Sequence, residues 1–207
     1  MDLLTSLAND FNIPIIRKDQ KIWFFRTKGG KFYNDFIANK FIALGWDLIP
    51  STLITNTQTT KEVKKSEVEK VYPQEKRPGL ILGQMDVFYN RMAIGDLVLI
   101  PDEGTKTIAV GILGDFIENL HRKSTNENHA QCTFVHRRSV VWQKEIDAWQ
   151  DIYLFKALRA QQTISDITNE GKLIFRILFF HTVFIGSCSL GINNAPEIIR
   201  NSGTENA

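Results

Sequence analysis

The sequence predicts an α+β fold, and three observations predict it. Short apolar runs recur at Phe41-Ile42-Ala43-Leu44-Gly45-Trp46-Asp47, Gly95-Asp96-Leu97-Val98-Leu99-Ile100-Pro101, Ile108-Ala109-Val110-Gly111 and His136-Arg137-Arg138-Ser139-Val140-Val141-Trp142, each of a length that suits a strand. Between them, apolar residues at helical spacing mark separate helices. The strand ends carry aromatic, glycine and basic residues, which is the layout of a binding module and not of an enzyme.

Residues 2–11 form the first expected helix, because Leu3, Leu4, Leu7 and Phe11 fall near one face. Lys21 to Arg26 reads as a strand, and Gly29-Gly30 supplies the turn after it. Phe41 to Trp46 is the second strong strand. Ser51 to Thr60, rich in Ser, Thr and Asn, is expected as loop. Thr60 to Val71 places Val63, Val68 and Val71 among charges and suits an exposed amphipathic helix that Pro73 ends. From Pro78 to Met92, Leu82, Met85, Phe88, Tyr89 and Met92 recur at three and four, a stronger helical pattern.

Gly95-Asp96 then turns the chain into a strand, with Asp96 read as a turn residue. Residues 107–114 form the next strand, Asn119 to Ala130 a polar connection, and Thr133 to Trp142 the closing strand. Lys144 to Gln162 is expected to be helical, with Trp142 packing against it. Thr163 to Ile167 begins a short element with Thr163 or Ser165 as N-cap.

At 207 residues the chain has room for one complete core with a small appendage. We place the main domain at 1–165 and an apolar segment with a polar tail at 166–207. The apolar share of 43% and charged share of 23% exclude wholesale disorder and a polytopic membrane protein. Net charge is only +2, so a basic surface has to be local. Cys132 and Cys188 are too few for a disulfide framework or a four-cysteine zinc site, and a reducing, cytoplasmic setting is expected. The N-terminus lacks the charged and apolar regions of a signal peptide.

Residues 173–192 are almost continuously apolar or small, close to the length of about 20 residues that spans a bilayer. Arg176 and His181 oppose insertion, so burial is the expected state and a membrane anchor the alternative. The catalytic inventory is thin: no Gly-rich phosphate loop, H-E-x-x-H, G-x-S-x-G or nuclease-like carboxylate and lysine set stands out. His121, His129 and His136 are spaced too irregularly for a metal site, and no cofactor is implied.

The run Ile22-Trp23-Phe24-Phe25-Arg26, then Gly30, Phe36, Ile42-Ala43-Leu44-Gly45-Trp46, Gly83-Gln84, Phe88, Gly95-Asp96-Leu97-Val98 and Pro101 resembles reader domains of the PUA-like superfamily, whose EVE and YTH branches bind modified bases. Ile108 to Phe116 resembles the family's glycine-bearing strand followed by an aromatic, and His136 to Trp142 its closing strand. The resemblance spans roughly residues 20–145 by order and spacing. Ile117-Glu118-Asn119 departs from it where relatives often carry a second aromatic. It implies a small curved β-barrel flanked by helices that accepts a flipped base. A prokaryotic defence setting, with an effector nuclease or other defence protein as partner and DNA as ligand, is implied by the resemblance alone.

An extruded base needs a planar ring to stack on, polar groups to read its edge and cations on the flanking phosphates. Trp46 is the expected stacking wall beside Asp47, with Trp23 or Phe25 across from it and Gln84 on the base edge. Lys28, Lys31, Arg122 and Lys123 are the expected phosphate contacts, together with Arg137 or Arg138, which alternate across their strand so that one faces the ligand. The reading is therefore a non-catalytic nucleic-acid reader. Its alternatives are a membrane-anchored sensor of a nucleotide or modified base, and an enzyme acting on RNA or a nucleotide.

Overall fold

The computed structural model describes residues 19–117, 131–147 and 162–170. These build a mixed α+β frame, a curled six-stranded half-barrel with four α-helices. In chain order they are β1 (Ile22–Phe25), α1 (Tyr33–Asn39), β2 (Phe41–Leu44), α2 (Ser51–Thr55), α3 (Lys61–Val71), α4 (Pro78–Asp86), β3 (Leu97–Pro101), β4 (Thr107–Ile117), β5 (His136–Asp147) and β6 (Ile164–Asp166). A short 3-10 turn, Thr27–Gly30, follows β1, and a π-helical turn, Val87–Arg91, continues α4.

The sheet order is β2-β5-β4-β3-β1-β6, with β1 and β3 parallel and every other pair antiparallel. β1 and β3 are buried at every position, so they read as unbroken apolar runs and not as alternation. Trp23, Phe25, Val98, Ile100, Ala109 and Leu113 belong to the main core under the helices. Their neighbours Ile22, Phe24, Leu97, Leu99, Ile108 and Val110 are buried on the opposite face. The Thr27 hydroxyl donates to the Ala43 carbonyl at 2.8 Å, tying the turn after β1 to β2.

α3 starts where its sequence says it should: the Thr60 hydroxyl accepts from Val63 N–H as an N-cap. Pro78 opens α4 in the first turn, where its missing N–H costs nothing. The expected helix to Met92 is present as α4 plus the π-turn.

Several expectations are corrected. Ser51–Thr55, read as loop, is a short helix whose residue Ile54 is buried. Lys144–Asp147, read as the start of a helix, stays in β5 because its backbone pairs with Thr107–Val110 of β4. Thr163 and Ser165 cap no helix; the Thr163 carbonyl accepts from Arg26 N–H and Ser165 lies opposite Phe24 in β6.

Trp142 packs toward α1 and donates its indole N–H to the Phe36 carbonyl at 2.9 Å. Asp96 is more than a turn residue: it is buried and accepts from the Trp23 indole, Ala93 N–H and Lys21 N–H. β6 runs across position 165, where the sequence placed the domain boundary. Among the described residues no helix is long and apolar enough to cross a membrane. The expected helix at 2–11, the 119–130 connection and the apolar segment at 173–192 lie outside the described residues.

Candidate functional site

β2 ends at Leu44, and the chain passes Gly45 into Trp46, whose φ of 70° is left-handed. That conformation costs a non-glycine residue roughly 1–2 kcal/mol, so the surroundings have to impose it. They do so from both sides. The Trp46 carbonyl accepts from Ile49 N–H at 2.9 Å and lies 3.3 Å from His136 Nε2, while Asp47 Oδ1 accepts from Val135 N–H at 3.0 Å. Gly45 lies against the Phe134 ring, whose edge would stand 3.3 Å from an added Cβ and would have to give by a few tenths of an ångström.

His136 opens β5 and is buried. A carbonyl only accepts, so Nε2 carries the proton toward Trp46, and Nδ1 is then the acceptor for the Tyr89 hydroxyl at 2.6 Å. Burial lowers the His136 pKa below its ordinary value, against the Trp46 carbonyl and Asp47, which raise it. Burial also pushes the Tyr89 phenol up to about 12. Both groups are neutral near pH 7 and bound to each other.

Tyr89 sits on the π-helical turn, a distortion that recurs at functional sites. Its ring stacks on Phe116 of β4 at 4.9 Å with planes 13° apart. Phe116 remains 42% exposed. The Arg138 guanidinium lies 4.6 Å from the centre of the Phe116 ring. Arg138 is 2% exposed and donates to the Gly114, Met92 and Phe88 carbonyls, so it fixes the π-turn against β4. Beginning two residues after Trp46, a cleft of ≈ 370 Å³ lies between α2 and α3, lined by Leu48, Ile49, Pro50, Leu53, Asn56 and Glu67 among others.

The structure brings the Trp46 carbonyl to His136, and His136 to Tyr89 and through it to Phe116, while the Trp46 side chain packs partly buried against the core and Asp47 holds Val135. It places the other expected pocket residues elsewhere. Trp23 is 1% exposed with its indole N–H on Asp96, and Phe25 packs against Phe36 and Phe88 in the core; neither ring offers a face for a base. Gln84 is buried and serves β6, accepting from Ile164 N–H at 2.6 Å and donating to the Ile164 carbonyl at 3.3 Å.

Arg138 is spent on carbonyls inside the protein. Arg137, on the opposite face, donates to the Phe134 and Cys132 carbonyls and lies 4.5 Å over the Phe41 ring. Lys28 and Lys31 stand exposed on and beside the turn after β1. Arg122 and Lys123 lie outside the described residues.

Sequence reasoning missed Tyr89 and His136. Tyr89 carried the spacing of a core helix residue, and His136 was read only as a scattered histidine. The adjacency of His136 to a double arginine at a strand start was the available signal. Among the described residues no group of three His, Cys, Asp or Glu side chains is placed to hold a metal.

A family profile described as a domain of unknown function, DUF8426, matches residues 21–168. No curated protein and no solved structure matches the chain.

Proposed function

Since the chain belongs to the DUF8426 family, a domain of unknown function, we propose its role from the site's chemistry: a non-catalytic nucleic-acid-binding module that accepts a base beside Trp46. One observation carries this reading. Trp46 is held in a costly left-handed conformation at a turn that His136 links to Tyr89, whose ring stacks on the 42% exposed Phe116. Aromatic faces of this kind bind any base by stacking, whereas the polar atoms beside them select an edge. Asp47, which uses one carboxylate oxygen on Val135 N–H, is the residue we assign to the base edge.

The non-catalytic part of the reading is supported by His136. Both its ring nitrogens are engaged by Tyr89 and Trp46, so it holds the frame and is not poised to move a proton. The PUA-like resemblance adds modified DNA as the ligand and a defence setting with an effector partner. The test is titration of the chain with modified and unmodified oligonucleotides and with the free nucleotide. Trp46→Ala should weaken the preferred oligonucleotide by roughly 1–3 kcal/mol with the fold retained. Unchanged affinity in that variant removes Trp46 from the site. Tighter binding of the free nucleotide than of any strand favours the sensor reading instead.

A further inference from the structure

We propose that Arg26 anchors an oxyanion site at the end of β1, and that its ligand is a phosphodiester of a nucleic-acid strand. Naming that ligand rests on the reading above; the anion site itself does not.

Arg26 commits its backbone N–H to the Thr163 carbonyl at 2.7 Å, which fixes where its side chain starts. The side chain is half-buried. Its guanidinium makes one hydrogen bond, from Nη2 to the Thr105 hydroxyl at 3.3 Å. Its Nε is enclosed and has no acceptor. A guanidinium has five donors and a permanent charge, and one long bond to a neutral hydroxyl satisfies neither.

The other arginines of the frame show the contrast. Arg137 and Arg138 each reach backbone carbonyls at 2.6 Å, and Arg138 has three of them. No carboxylate among the described residues lies within ion-pairing distance of Arg26. Asp102, in the adjacent β3–β4 hairpin, accepts from Lys106 N–H at 2.7 Å.

The surroundings supply what a bound oxyanion needs. Lys28 and Lys31 follow within five positions, on a turn that runs through φ of 47° at Lys28, 69° at Gly29 and 95° at Gly30. Gly30 is pressed against the Asp102–Glu103 backbone, so closely that no side chain fits, and this holds the turn in place. Thr105 is itself left-handed at φ 53° and presents its hydroxyl to Arg26. Three cations therefore lie on or beside one turn with no counter-ion among the described residues, the condition under which a phosphate is recognised by charge and a guanidinium fork. Thr27 ties this turn to Ala43, three residues before Trp46 on the same strand and turn, so cations and ring belong to one frame.

The experiment measures anisotropy of an end-labelled single-stranded oligonucleotide, and of an abasic strand of equal length, against salt with the full chain. Arg26→Gln should weaken both strands about tenfold, as loss of one charge-assisted hydrogen bond does, and lower the salt slope by about 0.7. Arg26→Lys should keep the slope and lose part of the affinity. Unchanged affinity and slope for both strands in a folded Arg26→Gln overturns the proposal. If that variant does not fold, Lys28→Gln and Lys31→Gln read the same slope, and no change there overturns it equally. Equal binding of abasic and base-bearing strands, with slope lost in Arg26→Gln, sinks the base reading and upholds the anion site. Arg26-dependent binding to phosphatidylserine vesicles without binding to either strand reassigns the ligand and overturns the phosphodiester.

Discussion

Trp23 donates its indole N–H to Asp96 Oδ2 at 2.8 Å, joining β1 to the entry of β3 across 73 positions of sequence. Asp96 also takes Ala93 N–H at 2.8 Å and Lys21 N–H at 3.1 Å, so one carboxylate serves three donors at the start of a parallel pair. Asp96→Ala strands three N–H groups and should cost about 2–4 kcal/mol, whereas Trp23→Phe removes one donor and should cost about 1–2 kcal/mol. Urea unfolding of both variants checks the order. A smaller loss in Asp96→Ala than in Trp23→Phe contradicts this account of the carboxylate.

The left-handed backbone at Trp46 separates fold from function. Trp46→Ala and Trp46→Gly both remove the ring, but glycine alone relieves the φ of 70°. The glycine variant should be more stable than the alanine variant by about 1 kcal/mol, while both lose the same oligonucleotide affinity. Equal melting temperatures for the two would show that the turn relaxes once the ring is gone.

His136 gives the fold a pH dependence with a definite sign. Burial lowers its folded pKa below the ordinary 6.5. As pH falls through about 6.5 the unfolded chain takes up this proton and the folded chain does not, so the unfolded state binds more protons. Stability attributable to His136 is complete above that value and declines below it. Protonation would also place a second donor against the Tyr89 hydroxyl at 2.6 Å. His136→Gln should flatten the stability curve between about pH 5 and 6.5 relative to wild type, read by denaturant titration at each pH. An unchanged curve assigns the dependence to other groups.

The arginines and lysines should divide by what they hold. Arg138 is enclosed among the Gly114, Phe88 and Met92 carbonyls, so Arg138→Gln should destabilise by about 3 kcal/mol and act on binding only through the fold. Lys31→Gln should leave stability within about 0.5 kcal/mol and lower the salt slope of strand binding by about 0.7. A melting temperature unmoved in Arg138→Gln would mean its three carbonyls find other partners.

Local pattern revealed the strands because β1 and β3 are apolar at every position, and it revealed α3 through Val63, Val68 and Val71 among charges and α4 through the three- and four-residue spacing of Leu82, Met85 and Phe88. It failed where a distant partner decides the outcome. Lys144–Asp147 has helical composition, yet the ladder to Thr107–Val110 holds it as strand. Ser51–Thr55 looks like loop by residue type, and burial of Ile54 makes it a helix. The site followed the same division. Trp46 was visible as an aromatic at a strand end beside glycine. Gln84 is expected from sequence on the base edge, but Ile164, 80 positions away, takes its side chain instead. Arg26 read as the last residue of a strand, since an absent counter-ion leaves no trace in sequence.

The β1–β6 ladder has a consequence for how the molecule comes into being. Phe24 lies opposite Ser165, and Ile22 N–H donates to the Thr168 hydroxyl across 146 positions. A contact of such sequence separation closes a very large loop, and topologies rich in them assemble slowly. On the ribosome β1 therefore emerges long before the strand that completes its outer edge. In that interval its apolar backbone is an open strand edge, the kind of surface that recruits chaperones or pairs with the wrong chain.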